Sequence, residues 1–387
     1  MAQWDWLVKP EKPYTWRFVR NVVIKGLALF AVVNVVFALL NPMPALGRLS
    51  LYNRVTPGRA RLPYAENSDD SYSLSPLNLD AMFASHEIAG TPKAADEYRV
   101  LVIGDSSVWG VLLDTDQTLS AYLTAAQQHL TNGKRIRAYN IGYPIQSLTK
   151  DVMLLQYAMS YQPDLIVWMV TLESFAPPQQ LASLLVGENP DVVRNLMNTY
   201  QIKSIGLTDP KFHTESFVDH TIIGQRRPLA DLLRLQLYGP AWGITQIDQR
   251  YPRFYEPRRE NFDTDVTWQG LQPQPLTTTI LTFDVFEAGL KIAGQTPIIV
   301  INEPIFISHG VNSDLRYDFF YPRWAYDAYR PLLTDWTRAH NLTYVDLWDI
   351  VLSDQFTDSA VHLTPAGSKQ LAARVLDTIV QTANKTP

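Results

Sequence analysis

Apolar residues fall into two patterns along this chain: short unbroken runs, and stripes recurring every three or four positions. Arg99-Val100-Leu101-Val102-Ile103, closed by Gly104, is of the first kind and predicts a strand buried on both faces. Asp164 to Thr171 repeats that pattern, and Arg135 to Ile141, Pro297 to Asn302 and Leu342 to Leu347 read as further strands. Between them the stripes predict helices. Leu119, Tyr122, Leu123, Ala126 and Leu130 share one face of a helix over Thr118–Asn132 that ends at Gly133. Ser147 caps a helix running to Tyr161, and further helices are expected near Thr277–Ala293 and Arg323–His340. The last helix, Pro365 to Ala383, has Thr364 as N-cap and proline at its first position. Strand and helix alternate, so the expected fold is α/β: a three-layer α/β/α sandwich around a central parallel sheet.

Two stretches break this rhythm. Residues 175–276 are punctuated by Pro177-Pro178, Pro190, Pro210, Arg226-Arg227-Pro228 and Pro257-Arg258-Arg259. A structureless loop of that length does not suit a compact domain, so a mainly helical insertion is expected, as a cap over the strand ends or a partner-binding subdomain. Residues 48–97, rich in Pro, Ser, Asn and Arg, read as a linker packed loosely on the 98–387 domain.

Ahead of the linker, Gly26 to Gly47 carries no charge and is dominated by Leu, Ala, Val and Phe, long enough to span a bilayer as a helix. Lys9, Lys12, Arg17, Arg20 and Lys25 precede it, against Arg48, Arg54 and Arg59 behind. This bias predicts a cytoplasmic segment over 1–25, a single-pass signal anchor over 26–47 and an extracytoplasmic C-terminal domain. A cleaved signal peptide is the competing reading, but no Ala-x-Ala site follows the run.

Composition narrows the chemistry. A net charge of −5 and a pI near 5.8 provide no basic face for nucleic acid. The absence of cysteine excludes disulfides, thiolate metal sites and cysteine nucleophiles. The seven histidines show no metal-ligand spacing, and neither a metal nor another cofactor is expected.

The chemistry concentrates at two places. Gly104-Asp105-Ser106-Ser107-Val108 delivers a serine hydroxyl at the carboxyl end of the first strand, where open α/β sheets hold their ligands. Serine needs a base and an orienting acid, and Asp358-Ser359-Ala360-Val361-His362-Leu363-Thr364-Pro365 offers both. With these two blocks the chain resembles the SGNH (GDSL-type) hydrolases, a family of esterases, lipases and carbohydrate O-acyl esterases or acyltransferases with a flavodoxin-like sheet.

That resemblance implies Ser106 as nucleophile and His362 as base. The family's acid lies three residues before the histidine, where this chain has Ser359; Asp358 takes its place, with Asp346 and Asp354 as alternatives or a Ser-His dyad. The oxyanion donors implied are the amides of Ser106 and of Gly142, in Tyr139-Asn140-Ile141-Gly142-Tyr143-Pro144. The third block departs from the family: Val170-Thr171-Leu172-Glu173-Ser174-Phe175 lacks the donor asparagine, leaving Glu173 and Ser174 nearest. Asn302 and Glu303 end the fourth strand at the same edge and are further candidates for binding substrate. Arg316 to Trp324 could stack on sugar rings or pack the insertion. The expected function is a membrane-anchored serine esterase or O-acyltransferase acting on an ester-bearing glycan or lipid. The alternative is a catalytically degenerate scaffold that binds an envelope glycan or an assembly partner.

Overall fold

The computed structural model describes residues 15–64, 74, 76–206, 209, 216–250 and 254–385. Strands β1 (Glu97–Ile103), β2 (Arg135–Asn140), β3 (Leu165–Val170), β4 (Ile298–Asn302) and β5 (Thr343–Asp346) form one sheet in the order β2-β1-β3-β4-β5, and every pairing is parallel. Around it run α1 (Trp16–Leu40), α2 (Leu79–Ser85), α3 (Leu119–Ala125), α4 (Leu148–Ala158), α5 (Pro190–Tyr200), α6 (Arg226–Thr245), α7 (Phe283–Ala293), α8 (Arg323–Ala339) and α9 (Pro365–Ala383).

Side chains alternate across the sheet. Val100, Val102, Val167, Ile299 and Ile301 pack under α3 and α9, while Leu101, Ile103, Ile166, Trp168 and Val300 pack under α4, α7 and α8. Both faces are covered over β1, β3 and β4, whose residues are all buried, which is why β3 and β4 and most of β1 read as apolar runs. This is the three-layer fold expected, with the flavodoxin-like strand order. The order reverses beside β1, and the crevice at such a switch point is where doubly wound sheets bind ligands.

Three expectations need correction. The apolar helix is not bounded at 26–47: it begins at Trp16 and stops at Leu40, because Pro42 excludes the helical conformation for Asn41, which turns left-handed at φ 41°. Residues 43–47 form a separate short helix whose Met43 and Gly47 are buried against the domain.

The stretch 48–97 is not a loose linker. Tyr52, Leu62, Met82 and Phe83 are core residues, and the charged or polar Arg59, Arg61 and His86 are buried with partners. Arg59 Nε reaches Asp248 Oδ2 at 2.6 Å, Arg61 donates to Gly110 O at 2.9 Å, and His86 Nε2 donates to Asn140 O at 3.0 Å. Burial pushes the His86 pKa down to about 4, so the ring is neutral at pH 7.

Among the described residues the insertion is α-helical only as far as Thr245, chiefly in α5 and α6. From Phe254 to Leu276 the described chain is irregular and held by side-chain bonds, such as Arg316 Nη1 to Asp265 O at 2.7 Å and Trp324 Nε1 to Val266 O at 2.6 Å. The Arg316–Trp324 stretch thus packs the insertion on the domain rather than offering Arg316 to a ligand.

Candidate active site

At the end of β1 the chain must turn beside β3. A Cβ on Gly104 would lie 2.6 Å from Val108 Cγ2 and 3.1 Å from Met169 Cβ, so only glycine passes there. Asp105 then caps a single helical turn, its Oδ1 accepting the Ser107 N–H at 2.8 Å. This bond accounts for Asp105 as a turn-forming residue and leaves Ser106 projecting from the first helical position.

From the other end of the domain, the loop before α9 is fixed by its capped helix: Thr364 Oγ1 accepts the Gly367 N–H at 3.2 Å. His362 Nε2 lies 2.8 Å from Ser106 Oγ, and its Nδ1 lies 2.8 Å from Asp358 Oδ1. Asp358 Oδ1 also accepts the Thr357 hydroxyl at 3.1 Å. Partial burial raises the Asp358 pKa, but the hydrogen bond and charge of His362 outweigh it, and the carboxyl is held below its ordinary value. A carboxylate on Nδ1 fixes the tautomer in which Nε2 is free to take the serine proton. Asp346, the alternative acid, is engaged by Arg330 at 2.9 Å and by Asn302 at 2.9 Å. Asp354 makes its described hydrogen bond to the adjacent Gln355.

The other candidates are placed differently. Gly142 lies against the turn that carries Ser106, where a Cβ would stand 2.7 Å from Trp109 N, but its N–H donates to Asn140 Oδ1 at 3.0 Å. The Ser106 N–H has no acceptor among the described residues. Glu173 is not at the cleft: it is buried and accepts from Gln179 Nε2 at 2.8 Å, Trp268 Nε1 at 3.1 Å and Gln269 Nε2. Burial raises its pKa against the pull of these three donors. It ties the insertion to the β3 edge. Ser174 Oγ accepts the Thr171 N–H at 3.2 Å and serves a capping box.

Asn302 spans the β4–β5 edge from within, donating to Asp346 and accepting from Tyr326 OH at 3.2 Å. Glu303 accepts the Ser107 hydroxyl and is fully buried beside Asp105; burial, then that neighbouring carboxylate, pushes its pKa well up. None of these four residues lines the cleft that holds Ser106 and His362. A motif position fixes where a residue sits on the chain but not which way it turns, and Trp268 and Asp346 were not visible as partners.

Ser106, Asp358 and His362 open into a cleft of about 710 Å³ whose wall is mainly apolar: Tyr64, Trp109, Leu112, Ile145, Phe320 and Val361. Leu112 and Ile145 are held at φ 62° and 77°, a costly conformation, above all for a β-branched residue, and both face this cleft. The wall draws on the insertion through Phe254 and Tyr255, where a cap over the strand ends was one of the two expectations, and on the supposed linker through Tyr64, which sequence reasoning missed. A second missed feature lies beneath: Lys150 is buried and donates to Gly104 O at 2.7 Å and Tyr143 O at 2.6 Å, bracing the turn that carries Ser106. Its signal is a Lys150-Asp151 pair, the two charged residues in the helix Leu148–Ala158. No metal-binding cluster of His, Asp or Glu occurs among the described residues.

No protein-family model and no curated protein matches the chain. Solved structures of similar fold include a GDSL-like lipase from Bacteroides thetaiotaomicron, 11% identical with a TM-score of 0.36 over 80% of this chain and 100% of that one. A carbohydrate acetylesterase family member from Sinorhizobium meliloti is 10% identical, with a TM-score of 0.34 over 74% of this chain and 99% of that one. The aryl esterase of M. smegmatis is 9% identical, with a TM-score of 0.32 over 73% of this chain and 98% of that one.

Proposed function

We propose that this chain is a serine esterase or O-acyltransferase of the SGNH type, with Ser106 as nucleophile, His362 as general base and Asp358 as orienting acid. The supporting observation is the continuous hydrogen-bonded line Ser106 Oγ–His362 Nε2 and His362 Nδ1–Asp358 Oδ1, open to an apolar cleft. Ser106 Oγ attacks the acyl carbon while its proton passes to His362 Nε2. The tetrahedral oxyanion meets the Ser106 N–H, and Gly142 joins as second donor only by releasing Asn140 Oδ1. Collapse expels the alcohol, which takes the proton from His362 and leaves an acyl-serine. Water then completes hydrolysis, or a sugar or lipid hydroxyl completes transfer; both use the same residues.

The substrate in this reading is an ester-bearing glycan or lipid at the cell envelope. Helix α1, 25 residues long with a mean hydropathy of 2.5 over its most apolar window, supports a single-pass anchor. Arg17, Arg20 and Lys25 at its start favour a cytoplasmic N-terminus. Treating the detergent-solubilised protein with a fluorophosphonate tests the enzyme reading. Labelling that vanishes in Ser106→Ala and weakens in His362→Ala is expected. Folded wild type that takes no label would favour the non-catalytic scaffold, a role consistent with the engaged Gly142 amide and the missing asparagine.

A further inference from the structure

Helix α6 has two apolar faces, and the fold uses one. Leu232, Leu235, Gly239 and Gly243 are buried, packing with Met43 and Ala81 and against Tyr52 and Thr56. Gln236 clamps the helix to the chain leaving α1, accepting the Leu51 N–H at 2.9 Å and donating to Leu49 O at 2.9 Å. Leu233, Leu237 and Ile244, spaced four and seven residues apart and so on one side of the helix, are 60%, 66% and 73% exposed. Exposed Arg227 and Arg234 border this stripe. Just before the helix, the turn holding Phe217, Val218 and Ile223 exposes its apolar side chains too.

The register of this surface against α1 says what covers it. Asn34 is the buried residue of α1, and its Oδ1 accepts the Ile223 N–H at 3.2 Å. At 1.5 Å per residue, Asn34 lies about 9 Å short of the end of α1 at Leu40. A turn bonded at that level of a membrane-spanning helix sits at the depth where interfacial helices seat their apolar faces, about 5–10 Å into the headgroup and acyl boundary.

We infer that the 217–223 turn and α6 lie in the lipid interface around α1, with Leu233, Leu237 and Ile244 in contact with the bilayer and Arg227 and Arg234 among its headgroups. This rests on the anchor reading of α1. It makes the domain lie on the membrane instead of hanging from a tether, and the segment after α6 leads on to Phe254 and Tyr255 at the catalytic cleft.

The chain has no cysteine, so single cysteines report depth without background. The full-length protein, bearing an environment-sensitive dye at Leu237→Cys, Ile244→Cys, Leu29→Cys or Leu352→Cys, is reconstituted in phosphatidylcholine vesicles containing phosphatidylglycerol. Leu352 is equally exposed, at 70%, but follows Val351 in the core under α9, on the other side of the sheet. Brominated phosphatidylcholine is expected to quench Leu237 and Ile244 at least about twofold, as it quenches Leu29, and to leave Leu352 unchanged. Quenching at Leu29 but at neither α6 position overturns the inference and leaves the anchor standing. Quenching at none of the four overturns both.

Discussion

Ser106 Oγ and His362 Nε2 stand 2.8 Å apart, although 256 residues separate them in the chain. Two independent local devices make that meeting possible: the glycine turn at the end of β1 and the proline-started, threonine-capped α9. Each positions one partner without reference to the other, and the parallel sheet brings both to the same edge. The third partner is less firmly built, since Asp358 lies four residues from His362 in an irregular loop and is partly exposed.

Asp358→Asn therefore tests whether the carboxylate, and not the fold, supports the base. An amide can keep the contact to Nδ1 but favours the tautomer with the proton on Nε2, facing Ser106. Ester hydrolysis is expected to lose about 10²–10⁴ in kcat/KM, with far-UV circular dichroism unchanged. Asp354→Asn is expected to keep its rate. Equal rates for wild type and Asp358→Asn would remove Asp358 from the mechanism.

How far the sequence reveals this molecule depends on how local each determinant is. Central strands are legible because burial on both faces demands an unbroken apolar run, and the Ser106 and His362 blocks because each is a short motif with its own cap. Arg59, Arg61 and His86 misled because composition marks them as solvated, whereas each is buried through a partner far along the chain; Arg59 and Asp248 are 189 residues apart. The Thr118–Asn132 helix stops early, at Ala125, because Gln127 turns left-handed and Gln128 and Leu130 bond to the start of β2 and the residue before it. Cleft walls are assembled from several such distant pieces, so Tyr64 and Tyr255 carried no local sign of their place.

The Arg59–Asp248 pair predicts how strongly the residues before β1 are built into the domain. Both side chains are almost completely buried, and removing one charge strands the other. Asp248→Ala is expected to lower unfolding free energy by about 3–5 kcal/mol in urea titrations followed by tryptophan fluorescence. Asp231→Ala, which breaks the exposed pair with Arg234 at 2.7 Å, is expected to cost less than about 1 kcal/mol. Equal effects of the two substitutions would contradict the packing of this segment.

Glu303, which accepts the Ser107 hydroxyl beneath the Ser106 turn, is expected to give stability a pH dependence. Its folded pKa lies well above the ordinary 4.5, so between those values the folded state holds a proton that the unfolded state has lost. Its contribution is complete at acidic pH and declines as pH rises. Glu303→Gln keeps an acceptor for the Ser107 hydroxyl and cannot ionise. The variant is expected to match wild type near pH 4 and to gain on it by up to about 1.4 kcal/mol per pH unit above that, until the folded carboxyl titrates. Urea midpoints at pH 5 and pH 8 check this, and parallel midpoints would place an ionised Glu303 in the fold.

Ile145 lines the cleft beside Ser106 in a strained backbone conformation, which makes it a test of where an acyl group would lie. A β-branched residue at φ 77° costs about 1–3 kcal/mol that the surrounding structure must offset, and here it lines the space beside Ser106. If that space receives the acyl chain, each added methylene contributes about 0.8 kcal/mol, close to a fourfold gain in kcat/KM per carbon from acetate to butanoate esters. Ile145→Gly relieves the backbone and removes the wall. Its stability is expected to stay within about 1 kcal/mol of wild type, because the relieved strain offsets the lost burial and the added chain entropy. Acetate should be cleaved at a near-normal rate, while the gain per carbon flattens. A chain-length series on p-nitrophenyl esters reads both numbers directly; a slope unchanged by Ile145→Gly would mean that the acyl group lies elsewhere and that this wall meets the alcohol side of the ester.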